Sequence, residues 1–254
     1  MDINWADLGR RLRRIKPGWY VLAFLLVYSL STTIALSRSN AALRDYRTSE
    51  VGEEPPPSTR VTTQTPQAAT GLWLPVPGAS LPQTSAYLPN APRLYRNGTN
   101  QGFDFYDGDA GVPIPYGASV IASAAGTVER ADLVYSELSS GAWQQLIDEV
   151  SGGGASEEQL DLLRGRQVWI RADNGTLLRY AHLSGIDPDI TVGARTYRGQ
   201  VVGFVGNSGT DDGVNGTRSG ARLHYEIWID GTFFGDGLDE ANVRSRAAAL
   251  FIGP

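Results

Sequence analysis

The sequence predicts a mainly β protein, in which an antiparallel β-sheet domain with a short helical insertion follows one transmembrane helix and a disordered linker. Three observations predict this organisation. Residues 19–36 are an unbroken apolar run, residues 37–71 are rich in Pro, Ser and Thr, and the rest of the chain alternates short apolar runs with Gly, Asn and Asp. The last pattern is typical of antiparallel β proteins, whose short strands are joined by tight turns.

The composition narrows the chemistry that the chain can perform. The chain has 254 residues, 41% of them hydrophobic, which is enough to build a core. It contains no cysteine, so any metal must be held by histidine and carboxylate side chains. Residues 1–47 hold eight Lys and Arg against three acids, leaving 14 basic and 24 acidic residues in the rest. This acidic balance argues against nucleic acid as a partner of the distal domain.

The N-terminal region predicts a membrane anchor. Residues 19–36 carry no charge and approach the about 20 residues that cross a bilayer as a helix. Residues 1–18 contain five basic residues shortly before this run, which places them in the cytoplasm and everything after Leu36 outside. We therefore expect a single-pass protein of the cytoplasmic membrane with an extracytoplasmic C-terminal domain. A cleaved signal peptide remains an alternative, because Ala35 and Ser37 offer a small-residue cleavage site.

The segment after the anchor predicts a spacer followed by one β domain. Residues 37–71 have almost no large apolar side chains, so they are predicted to be a disordered linker. The domain is predicted over residues 72–254. Its strands are predicted at residues 119–123, 127–133, 167–172, 177–183, 201–205 and 223–229. Asn174-Gly175 and Asp230-Gly231 suit the positive φ angles of tight hairpins and indicate two such turns.

Helices are predicted in two places in this domain. The strand pattern is interrupted at residues 135–166, where we predict an inserted pair of helices at residues 142–149 and 157–164, joined by a run of three glycines. A final helix is predicted at residues 239–250, with Asp239 as its N-cap.

The two histidines of the chain lie in alternating segments. A strand has a side-chain period of two, so Arg222, His224 and Glu226 are predicted to share one face, lining a cleft or facing solvent. The same alternation predicts that Tyr180 and His182 point in one direction. An even spacing likewise predicts that the side chains at positions 100 and 104 lie on a common side.

Four short motifs, in this order, resemble those of the lysostaphin or LytM-type endopeptidases, which cut peptide cross-links in bacterial peptidoglycan. That family has His-x-Gly-x-Asp, Tyr-x-His-Leu, a Gly-rich stretch, and His-Leu-His followed by an aromatic residue and Glu. The segments here are NQGFD (100–104), YAHLS (180–184), GQVVGFVGNSG (199–209) and RLHYEI (222–227), with LPVPGA (74–79) and AAGTV (124–128) matching upstream. The resemblance covers most of residues 72–235 and implies a LytM-type β domain in a bacterial cell envelope.

The resemblance also implies a zinc ion held by the His and Asp of the first motif and the second His of the last, with the other two histidines assisting the attacking water. Carried over position by position, Asp104 and His224 are retained metal ligands and His182 is a retained catalytic histidine. Asn100 stands where the family has its first ligand, and Arg222 stands where it has a catalytic histidine.

Both departures weaken a zinc site. A catalytic zinc needs three protein ligands and an open position for water, and the neutral amide of Asn100 is a poor ligand. Arg222 adds a permanent cation; at about 4 Å from a divalent ion, it would be repelled by about 8 kcal/mol at an effective dielectric near 20. A structural zinc site is worth roughly 10–16 kcal/mol, so most of the affinity would be lost. We expect Arg222 to pair with Asp104 in place of the metal, near Asn100 and His182. The alternative is an empty site with Arg222 in solvent.

The prediction that follows is a non-catalytic domain that binds peptidoglycan or regulates a cell-wall hydrolase, as degenerate members of the family do, without a cofactor. The helical insertion is either a docking element or a tolerated surface insertion. The alternative is an active zinc metalloendopeptidase, which would need a replacement ligand such as Glu226 or Asp107. The expected partners are peptidoglycan or a cell-wall hydrolase, and the membrane through the N-terminal helix.

Overall fold

Antiparallel strands dominate residues 71–252, which are the residues that the computed structural model describes. The mainly β, antiparallel fold class is thereby confirmed for this part of the chain. The strands are β1 (Pro92–Arg93), β2 (Gly98–Thr99), β3 (Phe103–Tyr106), β4 (Ser119–Ile121), β5 (Gly126–Ala131), β6 (Val168–Ala172), β7 (Leu177–Ala181), β8 (Gly185–Ile186), β9 (Arg195–Thr196), β10 (Val201–Phe204), β11 (Arg222–Ile229) and β12 (Thr232–Phe233).

Helices are few in the same residues. They are α1 (Ser140–Gly153), α2 (Glu157–Arg164), α3 (Asp211–Val214) and α4 (Glu240–Leu250), with two single 3₁₀ turns at Ser85–Tyr87 and Leu94–Arg96. The predicted final helix is confirmed, and the side chain of Asp239 caps it by accepting a hydrogen bond from the backbone N–H of Asn242.

The N-terminal predictions fall outside the described residues. The cytoplasmic segment, the helix at residues 19–36 and the linker up to residue 70 all precede Gly71. Within residues 71–252, no helix has the length and apolar character needed to span a bilayer. Residues 71–252 belong to a single compact unit.

The strands form three sheets, and every ladder between them is antiparallel. The largest sheet has seven strands in the order β12-β11-β7-β6-β5-β9, with β3 also paired to β11. A second sheet has the order β4-β10-β8, and β1 pairs with β2. Because β11 pairs with both β3 and β7, it brings the first, second and last motifs together.

Alternation along β11 places one face in the core. Leu223, Tyr225 and Ile227 are buried. The ring of Tyr225 lies 5.1 Å from that of Tyr180 on the neighbouring strand, measured between centroids. The opposite face of β11 carries the polar residues that the sequence predicts to line a cleft.

The two helices predicted for the insertion are present between β5 and β6. They bury their own small cluster of Leu146, Val150, Leu160 and Leu163. Ser156 caps α2 in a reciprocal box with Gln159.

Ion pairs fix the insertion to the large sheet. On its outer side, Arg130 of β5 pairs with Asp161. On its inner side, Arg164 pairs with Glu226 of β11. The helical pair therefore stands as a wall beside the polar face of the sheet.

Candidate functional site

A cleft of about 400 Å³ lies between the polar face of the sheet and the helical insertion. Such a volume is within the about 300–1,000 Å³ typical of small-ligand pockets. It is lined by all five site residues predicted from the sequence: Asn100, Asp104, His182, Arg222 and His224. Its other wall is formed by side chains of the insertion, namely Trp143, Gln144, Ile147, Leu160, Leu163 and Arg164.

The register between β3 and β11 sets the centre of the cleft. Asp104 lies directly opposite His224 in this ladder. Close pairing requires the glycine of the first motif, because a Cβ at Gly102 would lie 2.3 Å from the carbonyl oxygen of Tyr225.

Asp104 is buried and surrounded by hydrogen-bond donors. Its Oδ2 accepts from Nη2 of Arg93 and from Nδ2 of Asn100, the latter at 3.1 Å. Its Oδ1 lies 2.8 Å from Nδ1 of His224 and 3.7 Å from Nε of Arg222. Burial raises the pKa of Asp104, but the charges of His224 and the two arginines and the His224 hydrogen bond outweigh it, so the pKa is held well below its ordinary value. The expected contact between Arg222 and Asp104 is present, at ion-pair rather than hydrogen-bond distance.

His224 has a carboxylate at each ring nitrogen. Its Nδ1 faces Asp104, and its Nε2 lies 3.0 Å from Oε1 of Glu226. Burial lowers the pKa of His224, yet the charge and hydrogen bond of Asp104, aided by Glu226, raise it overall. A carboxylate only accepts hydrogen bonds, so the two carboxylates favour the protonated form of His224.

His182 lies beyond the end of β7, and the prediction that it points the same way as Tyr180 is wrong. The strand ends at Ala181, and His182 has a φ of 60°, which turns its ring into the cleft. Tyr180 stays in the core, where its hydroxyl accepts a hydrogen bond from the backbone N–H of Ser123. A left-handed residue breaks the two-residue alternation on which the prediction relied.

The partners of His182 define its protonation. Nδ1 lies 2.8 Å from the carbonyl oxygen of Ser208, and Nε2 lies 2.8 Å from Nη2 of Arg222. Because a carbonyl only accepts and a guanidinium only donates, the ring is neutral with its proton on Nδ1. Burial lowers its pKa well below the ordinary value, and the charge of Arg222 lowers it further. The lone pair that a general base would use is thus occupied by Arg222.

Glu226 is buried at the end of the cleft floor and is fully engaged. Its Oε1 accepts from Nε of Arg164 at 2.6 Å, and its Oε2 accepts from Nε1 of Trp228 at 2.6 Å. Arg179 also donates to Oε2, at 3.3 Å, and its guanidinium lies between the rings of Trp169 and Trp228. Burial raises the pKa of Glu226, but Arg164 and His224 lower it far below its ordinary value.

Neither carboxylate considered as a replacement metal ligand is free for that role. Glu226 is held by the arginines just described. Asp107 accepts a hydrogen bond from the backbone N–H of Ile114 at 2.7 Å and does not line the cleft.

The side chains of the cleft, as arranged, do not fit a zinc ion. Of the three positions that would hold the metal, Asp104 and His224 keep donors of the zinc type, while Asn100 turns its amide nitrogen toward Asp104. Nε2 of His224 faces Glu226, as the second ring nitrogen of a metal-bound histidine commonly faces a carboxylate. The guanidinium groups of Arg93 and Arg222 lie at Asp104, where a ligand carboxylate would face the metal. Among residues 71–252, no three His, Cys, Asp or Glu side chains are grouped to hold a metal ion. A catalytic zinc requires three such ligands.

Sequence reasoning missed three arginines of the cleft. Arg93 precedes the first motif and reaches Asp104 across the short hairpin of β1 and β2. Arg164 ends a correctly predicted helix, but nothing in its local sequence indicates contact with Glu226, which is 62 positions away. Arg96 also lines the cleft. Of the aromatic residues, Tyr95 and Trp143 line it as well.

The family follows from a match to the sequence. The sequence model of peptidase family M23 matches residues 105–235, just over half of the chain. The chain therefore belongs to peptidase family M23, a family of zinc metallopeptidases that includes the lysostaphin and LytM types. The matched residues begin directly after Asp104, so the first motif lies outside them. A search of curated proteins found no match.

Solved structures of this family are similar to the chain at low sequence identity. A zinc-containing peptidase from Vibrio cholerae shares 18% identity over 65% of this chain, with a TM-score of 0.41, and the match spans 38% of that peptidase. The catalytic domain of lysostaphin from Staphylococcus simulans shares 19% over 58% of this chain and 82% of that domain, with a TM-score of 0.36. A protein from Ruminococcus gnavus that is assigned as a LytM glycyl-glycine endopeptidase shares 17% identity over 73% of this chain and 63% of that one, with a TM-score of 0.40.

Proposed function

We propose that this chain is a membrane-anchored, extracytoplasmic M23 domain that does not cut peptidoglycan. It binds either peptidoglycan itself or a hydrolase that acts on peptidoglycan. The observation that carries the proposal is the position of Arg93 and Arg222, whose guanidinium groups both lie at Asp104. A zinc ion bound at Asp104 would be repelled by these two cations.

The groups needed for catalysis are also occupied. Hydrolysis by a zinc peptidase needs a metal-bound water and a base that can take its proton. The lone pair on Nε2 of His182 accepts a hydrogen bond from Arg222, and a guanidinium group only donates. The arrangement of His182 and Arg222 therefore supports ligand binding by the cleft rather than catalysis of hydrolysis.

The location is proposed from the sequence. The apolar run at residues 19–36 and the spacer after it would hold the domain outside the cytoplasmic membrane, within reach of the cell wall. Protease added to intact spheroplasts should then remove the domain and leave a short membrane-bound fragment. Protection of the domain until the membrane is lysed would contradict this location.

The proposed activity is tested with purified peptidoglycan sacculi. The full chain should pellet with sacculi and release no soluble fragments, with or without added zinc, while lysozyme digests the same preparation. A second arm adds a purified cell-wall hydrolase and asks whether the chain changes its rate. Zinc-dependent release of peptide fragments by the chain alone would favour the alternative, an active endopeptidase. The proposal would be contradicted if the chain neither pelleted with sacculi nor changed the rate of the hydrolase.

A further inference from the structure

The cleft is rich in arginine, and one of its arginines has no carboxylate partner within the part of the chain that the structure describes. Three of the four have a carboxylate within 4 Å; the pairs are Arg93 with Asp104, Arg222 with Asp104, and Arg164 with Glu226. Within residues 71–252, the fourth, Arg96, forms no such pair. It ends the 3₁₀ turn that packs beside α1.

Arg96 is nevertheless buried. Only 9% of its surface is exposed. Its Nη2 donates to the carbonyl oxygen of Thr99. Its Nε has no hydrogen-bond partner among the described residues and is out of reach of solvent, so a ligand in the cleft would contact the guanidinium through its Nη atoms. The ring of Tyr95 lies 6.0 Å from the guanidinium carbon, measured to the centroid.

The surroundings of Arg96 disfavour its charge. Burial lowers its pKa, and the neighbouring cations Arg93 and Arg164 add to this effect, while Tyr95 offsets part of it. A buried cation with an unmade hydrogen bond is costly unless an anion faces it. Such a cation on the wall of an open cleft is therefore expected to receive its anion from a ligand.

The carboxylates that line the cleft do not pair with Arg96, so an anionic ligand could bind there. Its carboxylates are those of Asp104, Glu226 and Asp211. The first two are taken by the other arginines. Asp211 is exposed and forms no ion pair with Arg96 within 4 Å. Four guanidinium groups thus face three carboxylates.

The apolar part of the lining indicates what carries the anion. Tyr95 and the insertion residues Trp143, Ile147, Leu160 and Leu163 line the same cleft as Arg96. Inorganic phosphate has no apolar group to pack against these side chains, whereas a short peptide can place methyl groups and aliphatic stems against them. A guanidinium binds a carboxylate through paired, charge-assisted hydrogen bonds.

We propose that the cleft binds the free carboxylate of a short peptide, with Arg96 as the anchoring cation and the helical insertion as the apolar wall for its side chains. The proposal deepens the proposed function and rests on it, since the peptide stems of peptidoglycan carry free carboxylates. It also assigns the insertion a role in ligand binding.

The first test compares ligands that differ in one charge. The full chain is titrated, with detection by NMR, with N-acetyl-D-alanyl-D-alanine, with its C-terminal amide and with inorganic phosphate. We expect the acid to bind at least about tenfold more tightly than the amide and more tightly than phosphate, because charge-assisted hydrogen bonds to Arg96 are lost in the amide. Equal binding of acid and amide, binding of phosphate as tight as that of the peptide, or no binding of the acid would each overturn the proposal.

The second test removes the anchor. Arg96→Met should weaken binding of the acid by about tenfold or more while leaving the melting temperature without ligand unchanged or raised, because it removes a buried unpaired charge. The exposed Arg246 of α4 gives the control variant Arg246→Met, for which neither quantity should change. If Arg96→Met fails to fold, Arg96→Lys should fold and bind the acid more weakly than the wild type. An Arg96→Lys variant that binds like the wild type would contradict the anchor.

Sacculus binding separates this inference from the proposed function. If the wild type pellets without digesting sacculi and Arg96→Met pellets equally well, the inference fails and the proposed function stands. If the wild type digests sacculi, the proposed function fails, whatever the ratio between the affinities for the acid and for the amide.

Discussion

Oδ1 of Asp104 and Nδ1 of His224 lie 2.8 Å apart, so two side chains that the family resemblance assigns to one zinc ion are hydrogen-bonded to each other. The β3–β11 register brings them opposite one another, as a shared metal would require. The guanidinium groups of Arg93 and Arg222 also lie beside Asp104, where they would repel a metal ion.

Restoring the family residues should restore zinc binding. We expect the Asn100→His, Arg222→His variant to bind zinc more tightly than the wild type, because it adds the missing imidazole ligand at position 100 and removes a cation at position 222. Adding Arg93→Ala should strengthen binding again, since Arg93 competes for Asp104. Isothermal titration with zinc measures all three. His224→Ala in the triple variant is the control and should abolish the gain. No gain in the triple variant would mean that these loops no longer position the ligands.

The inner ion pair of the insertion should contribute strongly to stability. Arg164→Ala leaves Glu226 buried with fewer partners, and breaking a buried pair in this way costs about 3–5 kcal/mol. The matched control is Arg171→Ala, which removes an exposed pair with Glu129 and should cost about 1 kcal/mol or less. Urea unfolding measures the difference. Equal losses in the two variants would show that the insertion is only loosely docked.

Gly165 should tolerate no side chain. It has a φ of 66°, and a Cβ there would lie 2.3 Å from the carbonyl carbon and oxygen of Ser208. That carbonyl also orients His182. Gly165→Ala should therefore lower the free energy of unfolding by about 1–3 kcal/mol from the backbone alone. Gly141→Ala in α1 faces open space and should be neutral or slightly stabilising. Similar unfolding curves for the two variants would contradict this close contact.

The outer ion pair of the insertion should make stability depend on pH. Burial raises the pKa of Asp161, but hydrogen bonds from Arg130 and Gln167 outweigh it and lower the pKa overall. A lowered folded-state pKa gives stability that is present above the unfolded value of about 3.9 and is lost as the pH falls below it. The difference in unfolding free energy between pH 7 and pH 3 should thus be smaller for Asp161→Asn than for the wild type. Asp236→Asn, at an exposed position, should keep the wild-type difference, and an unchanged difference in Asp161→Asn would refute the prediction.

The sequence predicted the parts of the fold that depend on local patterns. All six predicted strands are present with ends shifted by one or two residues, because alternation and the turns at Asn174-Gly175 and Asp230-Gly231 are local features. The shortest strands, such as β1 and β8, were missed, since two residues contain no alternation to detect. The helical insertion was placed correctly between β5 and β6.

The members of the site and the contact between Arg222 and Asp104 were predicted, but the other contacts of the site were not. The motifs identified Asn100, Asp104, His182, Arg222 and His224, and all five line one cleft. The orientation of His182 depends on one left-handed residue. The ion pairs of Asp104 and Glu226 with Arg93 and Arg164 depend on tertiary packing between segments distant in sequence. Alternation and capping rules carry no information on either.

Zinc content tests the central claim most directly. The purified full chain is equilibrated with excess zinc, desalted and measured for metal by atomic emission, with the Asn100→His, Arg222→His, Arg93→Ala variant treated in parallel. We predict far less than one zinc per chain for the wild type and close to one for the variant. One zinc per wild-type chain held at micromolar affinity, with chelator-sensitive release of peptides from sacculi, would contradict the account.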